Sequence, residues 1–323
     1  MFIIVRASRV FLYGSAFGLL LFACPMVRSA DNRANELIGY MDASTALLDA
    51  IDSYDLAWRT EESVEVMGMP IIPRESFLRL HYDKPNRQLL LLSVNYSYDI
   101  EQLLRGVPAD RRAETLMVLI DGDRTIRRLV GRPPEVLPLS FEQRSELRTI
   151  PRLRSLGSLG FFASVFGQEN NRESLVRVTS MAKTLSTKVT DLEISFTAKI
   201  ESKCDETYQW FFSSQELLPI RHVVRQRCGA NQNWDVVTRQ TIDWSKHDGA
   251  GHLPSSVVEE TLGSIRLPRK DGTKKRFPME KTLVVDMLWR PLGSIGDIEQ
   301  IAQREQITPK SIEQLIDWKR PEG

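Results

Sequence analysis

An excess of one charge is missing from this sequence. Lysine and arginine number 43, aspartate and glutamate 42, for a formal net charge of +1. That balance argues against nucleic acid as a partner, because neutralising phosphates takes a concentrated basic face. The densest basic cluster, Arg269-Lys270 with Lys274-Lys275-Arg276, surrounds Asp271-Gly272 and reads as a solvated hairpin tip. Catalytic signatures are missing too. There is no G-x-S-x-G elbow, Walker A loop or dinucleotide fingerprint. Ser180-Met181-Ala182-Lys183 fits S-x-x-K but lacks the Ser-Asp-Asn and Lys-Thr-Gly companions of that motif. The histidines are four: His81, His222, His247 and His252. The last two flank Asp248-Gly249-Ala250-Gly251, and with no further Cys or His nearby no metal is expected there. Glu61-Glu62 and Glu259-Glu260 are strand neighbours pointing to opposite faces, so they cannot share a substrate. The sequence therefore predicts a non-enzymatic protein with no cofactor.

Long apolar runs are also lacking. The N-terminal stretch Val10–Ala23 has 14 residues, short of the roughly 20 a spanning helix needs. Arg6 and Arg9 precede it and the small or polar Arg28-Ser29-Ala30 follows. A charged start, a short apolar core and a small-residue exit together predict a secretory signal over 1–30. Two fates of Cys24 stay open. Leu21-Phe22-Ala23-Cys24 resembles a bacterial lipoprotein box, in which Cys24 is lipidated and tethers the chain to a membrane. Cleavage near Ala30 instead discards Cys24 with the signal. Either way the expected location is the periplasm or cell envelope.

Only two other cysteines exist, Cys204 and Cys228. In an exported chain such a pair is a disulfide candidate. Glu206–Phe212 and Ile220–Arg227 read as strands around a turn at 213–219. A hairpin centred near Glu216 pairs residues whose numbers sum to 432, which sets Cys204 opposite Cys228.

Along the remaining chain, Leu37, Met41, Leu48 and Ile51 predict one amphipathic helix over Arg33–Ser53. Strands follow over Asp55–Met67, Glu75–Tyr82, Gln88–Val94, Thr115–Ile120 and Thr125–Val130, with turns at Lys84-Pro85-Asn86 and Asp121-Gly122-Asp123. The proline-punctuated segment 132–173 predicts a loop with short helices. Leu175–Leu185 suits helix or strand equally. Strands resume at Leu192–Ser202, in the cysteine hairpin, and at Trp234–Trp244, Ser256–Arg266 and Lys281–Leu288. The tail over 291–323 returns to helix, with Asp297–Gln306 and a second segment that Thr308 caps and Pro309 opens. About ten strands without strand–helix alternation predict an α+β fold, one curved antiparallel sheet with its helices on one face.

Three local phrases carry a resemblance. The first is the N-terminal helix, then Tyr54–Val66, then Phe77-Leu78-Arg79-Leu80-His81-Tyr82-Asp83-Lys84-Pro85. The second is Leu119-Ile120-Asp121-Gly122-Asp123-Arg124-Thr125-Ile126. The third joins Tyr208-Gln209-Trp210-Phe211-Phe212, Leu217-Leu218-Pro219-Ile220-Arg221, Thr241-Ile242-Asp243-Trp244 and Leu253-Pro254. Together they resemble the LolA/LolB superfamily of periplasmic lipoprotein-handling proteins. The resemblance covers roughly Ala34–Leu262, is made of topology marks, and departs from the family in the proline-rich middle. It implies an incomplete β-barrel over 31–290 with helices covering its concave face and an apolar cavity between.

Such a cavity would gain about 0.8 kcal/mol for each CH₂ of an acyl chain it buries. By strand alternation Trp58, Leu80, Leu90, Leu92, Trp210 and Phe212 are the candidates for its wall. The implied ligand is a lipid or acylated lipoprotein. The alternative is a structural or protein-interaction module whose own side chains fill the same space. Carriers of this family have a strand arginine that latches the lid helices. Arg59 and Arg79 lie in that region, but neither matches a motif and neither is assigned the role.

Overall fold

The computed structural model describes residues 30–49, 51, 53–66, 69–98, 102, 112–121, 124–128, 135–137, 172–229, 235–247, 251–268, 274–290 and 308–318. Residues 1–29 of the predicted signal, Cys24 among them, most of the proline-rich middle, Asp297–Gln306 and the tip Arg269-Lys270-Asp271-Gly272 lie outside them.

Among the described residues one sheet of 13 strands organises the chain. From β1 (Ser53–Val66) the chain meanders outward through β2 (Met69–Asp83), β3 (Gln88–Ser97), β4 (Arg112–Asp121), β5 (Arg124–Arg128) and β6 (Glu135–Leu137). It re-enters at the opposite end with β7 (Thr184–Val189) and meanders inward. The strands there are β8 (Glu193–Ile200), β9 (Asp205–Ser213), β10 (Pro219–Arg227), β11 (Asp235–His247), β12 (Gly251–Pro268) and β13 (Lys274–Arg290). The two halves meet where β13 lies antiparallel to β1, from Asp55 opposite Arg290 to Val66 opposite Met279. Among the described residues all pairings are antiparallel, and the strand order ends at β6 and β7 without closing. A twisted sheet this wide curls, and an unclosed antiparallel sheet of this kind is consistent with an incomplete barrel.

Local sequence explains most boundaries. Asp83 accepts hydrogen bonds from the backbone N–H and the Nδ2 of Asn86, fastening the Lys84-Pro85-Asn86 turn, and Arg87 completes it at φ 54°. Prolines hid the start of β2: Pro70 and Pro73 sit in that strand, beside a register shift between Glu62 and Val64 where ladder pairing is broken anyway. The ambiguous segment 175–185 is helix and then strand, α2 (Arg172–Met181) leading into β7.

Helices occupy both faces, not one. α1 (Ala30–Asp49) packs against α2 and β7. Leu37 and Met41 of α1 and Leu175 and Val178 of α2 share one core with Leu56, Leu80, Leu91, Phe196 and Phe212. Tyr40 of α1 stands 5.7 Å from the Phe196 ring and 5.3 Å from Phe212, centroid to centroid. The C-terminal helix α3 (Pro309–Ile316) buries Ile312 and Ile316 on the other side of the sheet, against Ala57, Leu90, Leu92, Val94, Met117 and Leu119. The continuous apolar run of β3 is thereby explained. Its odd-numbered residues serve one core and its even-numbered ones the other. Thr308 caps α3 as its hydroxyl predicted, accepting from the Ser311 N–H at 3.1 Å while Ser311 Oγ accepts from the Thr308 N–H.

Candidate binding site

Residues paired across antiparallel strands point to the same face, so the register of β1–β4 writes out the α1 face as rows. Leu56, Leu80, Leu91 and Val118 form one row, and Trp58, Leu78, Ser93 and Leu116 the next. Then come Thr60, Ser76, Asn95 and Glu114, followed by Glu62, Arg74, Ser97 and Arg112. The face passes from apolar to hydroxyl and amide and then to charge. At that passage lies a cavity of about 440 Å³, within the size range of small-molecule sites. Trp58, Leu78 and Leu116 line its apolar end, and Thr60, Ser76, Asn95, Ser97, Arg74 and Glu114 its polar end.

Four of the six predicted wall residues lie in this face's core: Trp58, Leu80, Trp210 and Phe212. Of these only Trp58 lines the cavity. Trp210 and Phe212 belong to β9, in the part of the core shared with α1, and all four are almost wholly buried. Leu90 and Leu92 are a correction. Leu90 stands opposite His81 and Leu92 opposite Arg79, so both point to the α3 face. A run that is apolar on every residue carries no phase, so alternation alone does not tell which of its residues share a face with Leu80.

Beneath α3 lies a polar cluster. Asp55 on β1, at 2% exposure, faces Arg79 and His81 of β2. Arg79 donates to both Asp55 carboxylate oxygens and, from its third nitrogen, to the Leu315 carbonyl at 3.0 Å. His81 Nδ1 lies 3.6 Å from Asp55 Oδ2, beyond hydrogen-bond reach. Burial works to raise the Asp55 pKa, but the His81 and Arg79 interactions outweigh it and hold the carboxyl below its usual 3.8. Arg59 takes a different part, pairing with Glu61 at 2.6 Å and Glu75 at 2.9 Å. Arg290 completes the hold on α3 by donating to the Asp317 carbonyl. Sequence reasoning missed Asp55, because nothing local distinguishes one strand aspartate from the others.

The predicted disulfide is present between Cys204 and Cys228. The β9–β10 register runs Glu206 to Gln226 through Phe211 to Arg221, the pairing the hairpin argument required. His222 is buried in the same hairpin and stacks on Trp210 at 5.5 Å. Desolvation lowers its pKa from 6.5 to about 4, so it is neutral at physiological pH. His247 shares a 2.8 Å hydrogen bond with Ser245, and His252 stands opposite Lys246. Among the described residues no three His, Cys, Asp or Glu are grouped to hold a metal ion.

Against known proteins, no family model matches the chain and no curated protein matches it. Solved structures do. They include a LolA superfamily protein. That protein, from Nitrosomonas europaea, is 11% identical, with 80% of this chain and 94% of that one covered at a TM-score of 0.29. A DUF1329 family protein from Desulfovibrio piger is 12% identical, over 86% of this chain and 98% of the other, with a TM-score of 0.31. The Pseudomonas aeruginosa MucA/MucB complex also matches, at 9% identity over 83% and 97% with a TM-score of 0.18.

Proposed function

We propose that this is a non-enzymatic exported protein of the bacterial cell envelope that binds the acyl chain of a lipid or lipoprotein on the α1 face of its open barrel. The observation that carries this reading is the cavity over Trp58, Leu78 and Leu116, where an apolar floor continues out of the protein core into open space. A chain laid there loses water contact along its length, at about 0.8 kcal/mol per CH₂. In this reading the face bearing α1 and α2 is the concave one, residues 31–290 form the binding domain, and 1–30 is the export signal, with Cys24 either lipidated or removed. Trp58 touches the ligand, with Leu80 behind it.

A second reading has an observation of its own. Tyr40 of α1 already packs between Phe196 and Phe212, so at the β9 end the protein's own side chains fill the space a ligand would take. That favours an interaction module with no ligand. Native mass spectrometry of the protein gently purified from its own envelope separates the two. Binding predicts a retained mass of one acyl lipid that is lost on denaturation and much reduced in Trp58→Asp. A bare chain in every preparation, still bare after incubation with lipid, leaves the interaction module standing.

A further inference from the structure

The cavity is graded, and the grading selects a ligand. A surface made only for solvent would not carry Trp58, Leu78 and Leu116, and a surface made only for core would not carry Thr60, Ser76 and Asn95 in the adjoining row. Burying a hydroxyl or amide costs free energy unless a partner satisfies it. A polar row directly against an apolar floor, both lining one cavity, suits a molecule with two unlike ends. Chain and head then each meet their own kind.

Charge at the mouth refines this. Arg74 on β2 and Glu114 on β4 both line the cavity and flank β3, with Asn95 directly opposite Glu114 and Ser97 directly opposite Arg74. The other charged residues of the outermost row are Glu62, which is paired with Lys281 at 3.2 Å, and Arg112, which is exposed and outside the cavity lining. Among the described residues Arg74 is therefore the cation that lines the cavity. Its planar fork matches the two oxygens of a carboxylate or phosphate, and charge-assisted hydrogen bonds of that kind are the strong ones.

The geometry points to an amphiphile with an anionic head: the head sits on Arg74 beside Ser97 and Ser76, and the apolar chain lies over Trp58, Leu78 and Leu116. This rests on the acyl-binding reading above and adds the chemistry and the direction of the ligand. Strand rise is about 3.4 Å per residue, so rows lie about 7 Å apart and the path from Arg74 to the row of Trp58 and Leu78 is about 14 Å.

The test compares three ligands of equal chain length on the full mature protein: hexadecanoate, hexadecyl phosphate and hexadecanol. Affinity is measured by displacement of a fluorescent fatty acid, and Arg74→Gln and Arg112→Gln are measured beside the wild type. At least one anion is expected to bind about tenfold or more tightly than the alcohol. Arg74→Gln should weaken that anion about tenfold and leave hexadecanol unchanged, which also shows the variant folded, while Arg112→Gln should change neither. Which anion binds better tells a carboxylate source from a phosphate one. Equal binding of all three, untouched by Arg74→Gln, overturns the head-group assignment and leaves the acyl site standing. No binding of any of the three overturns both.

Discussion

Arg79 grips Asp55 with two parallel hydrogen bonds, 3.0 Å from Nε to Oδ1 and 2.6 Å between the second pair, while its remaining nitrogen reaches the carbonyl of Leu315. One side chain thus ties β1 to β2 and both to the last turn of α3. A cation suits that place twice over, once for the carboxylate and once for the negative end of the helix.

Arg79→Met should destabilise the protein by about 3 kcal/mol in urea unfolding, because it leaves a buried carboxylate without its cation. Arg59→Met breaks pairs that are more open to solvent and should cost less than about 1 kcal/mol. The folded Asp55 carboxyl titrates below 3.8, so the unfolded chain takes up the proton first as pH falls. The stabilisation from Asp55 is therefore complete above about pH 4 and is lost as pH drops below 3.8. Asp55→Asn should remove that part of the acid sensitivity. An Arg79→Met variant as stable as Arg59→Met would show that α3 is held by its apolar residues alone.

Reduction of Cys204–Cys228, or the double change to alanine, should lower stability by about 3 kcal/mol, since the bridge closes a loop with a sequence separation of 24. Thermal melts with and without reductant measure it. The loss should appear in the wild type and vanish in the alanine variant; an unchanged wild-type melt would contradict the account.

His222 sets a second pH window. Its folded pKa, about 4, lies below its unfolded 6.5, so the unfolded state binds the proton first. Stability is full above pH 6.5 and falls as pH is lowered toward 4, by about 3 kcal/mol at most. His222→Phe keeps a ring against Trp210 and should flatten the profile between those values. A variant profile parallel to the wild type across that range would assign the acid sensitivity elsewhere.

Much of this molecule was readable one segment at a time. The Cys204–Cys228 pairing followed from strand alternation about a single turn, and the Thr308 cap from two adjacent residue types, because both are local events. β6 and β7 were not separable as strands. β6 has only three residues, and β7 follows α2 directly with no apolar alternation to set it apart. For the candidate site the same line divides the residues. Leu80 has a phase to read, since Arg79 and His81 flank it, whereas 89–92 is leucine throughout, and only pairing sets Leu90 and Leu92 on the face opposite Leu80.

The sequence alone determined an antiparallel strand-rich chain, its turns, its disulfide and its two terminal amphipathic helices, because periodicity, proline and capping chemistry act within a few residues. Tertiary structure decided the rest. It set β13 beside β1, placed α1 and α3 on opposite faces, and brought Asp55 to Arg79 and Arg74 to the mouth over Trp58. Those contacts join residues from strands whose register only pairing can fix, and a shift of one residue would turn every one of them to the other face.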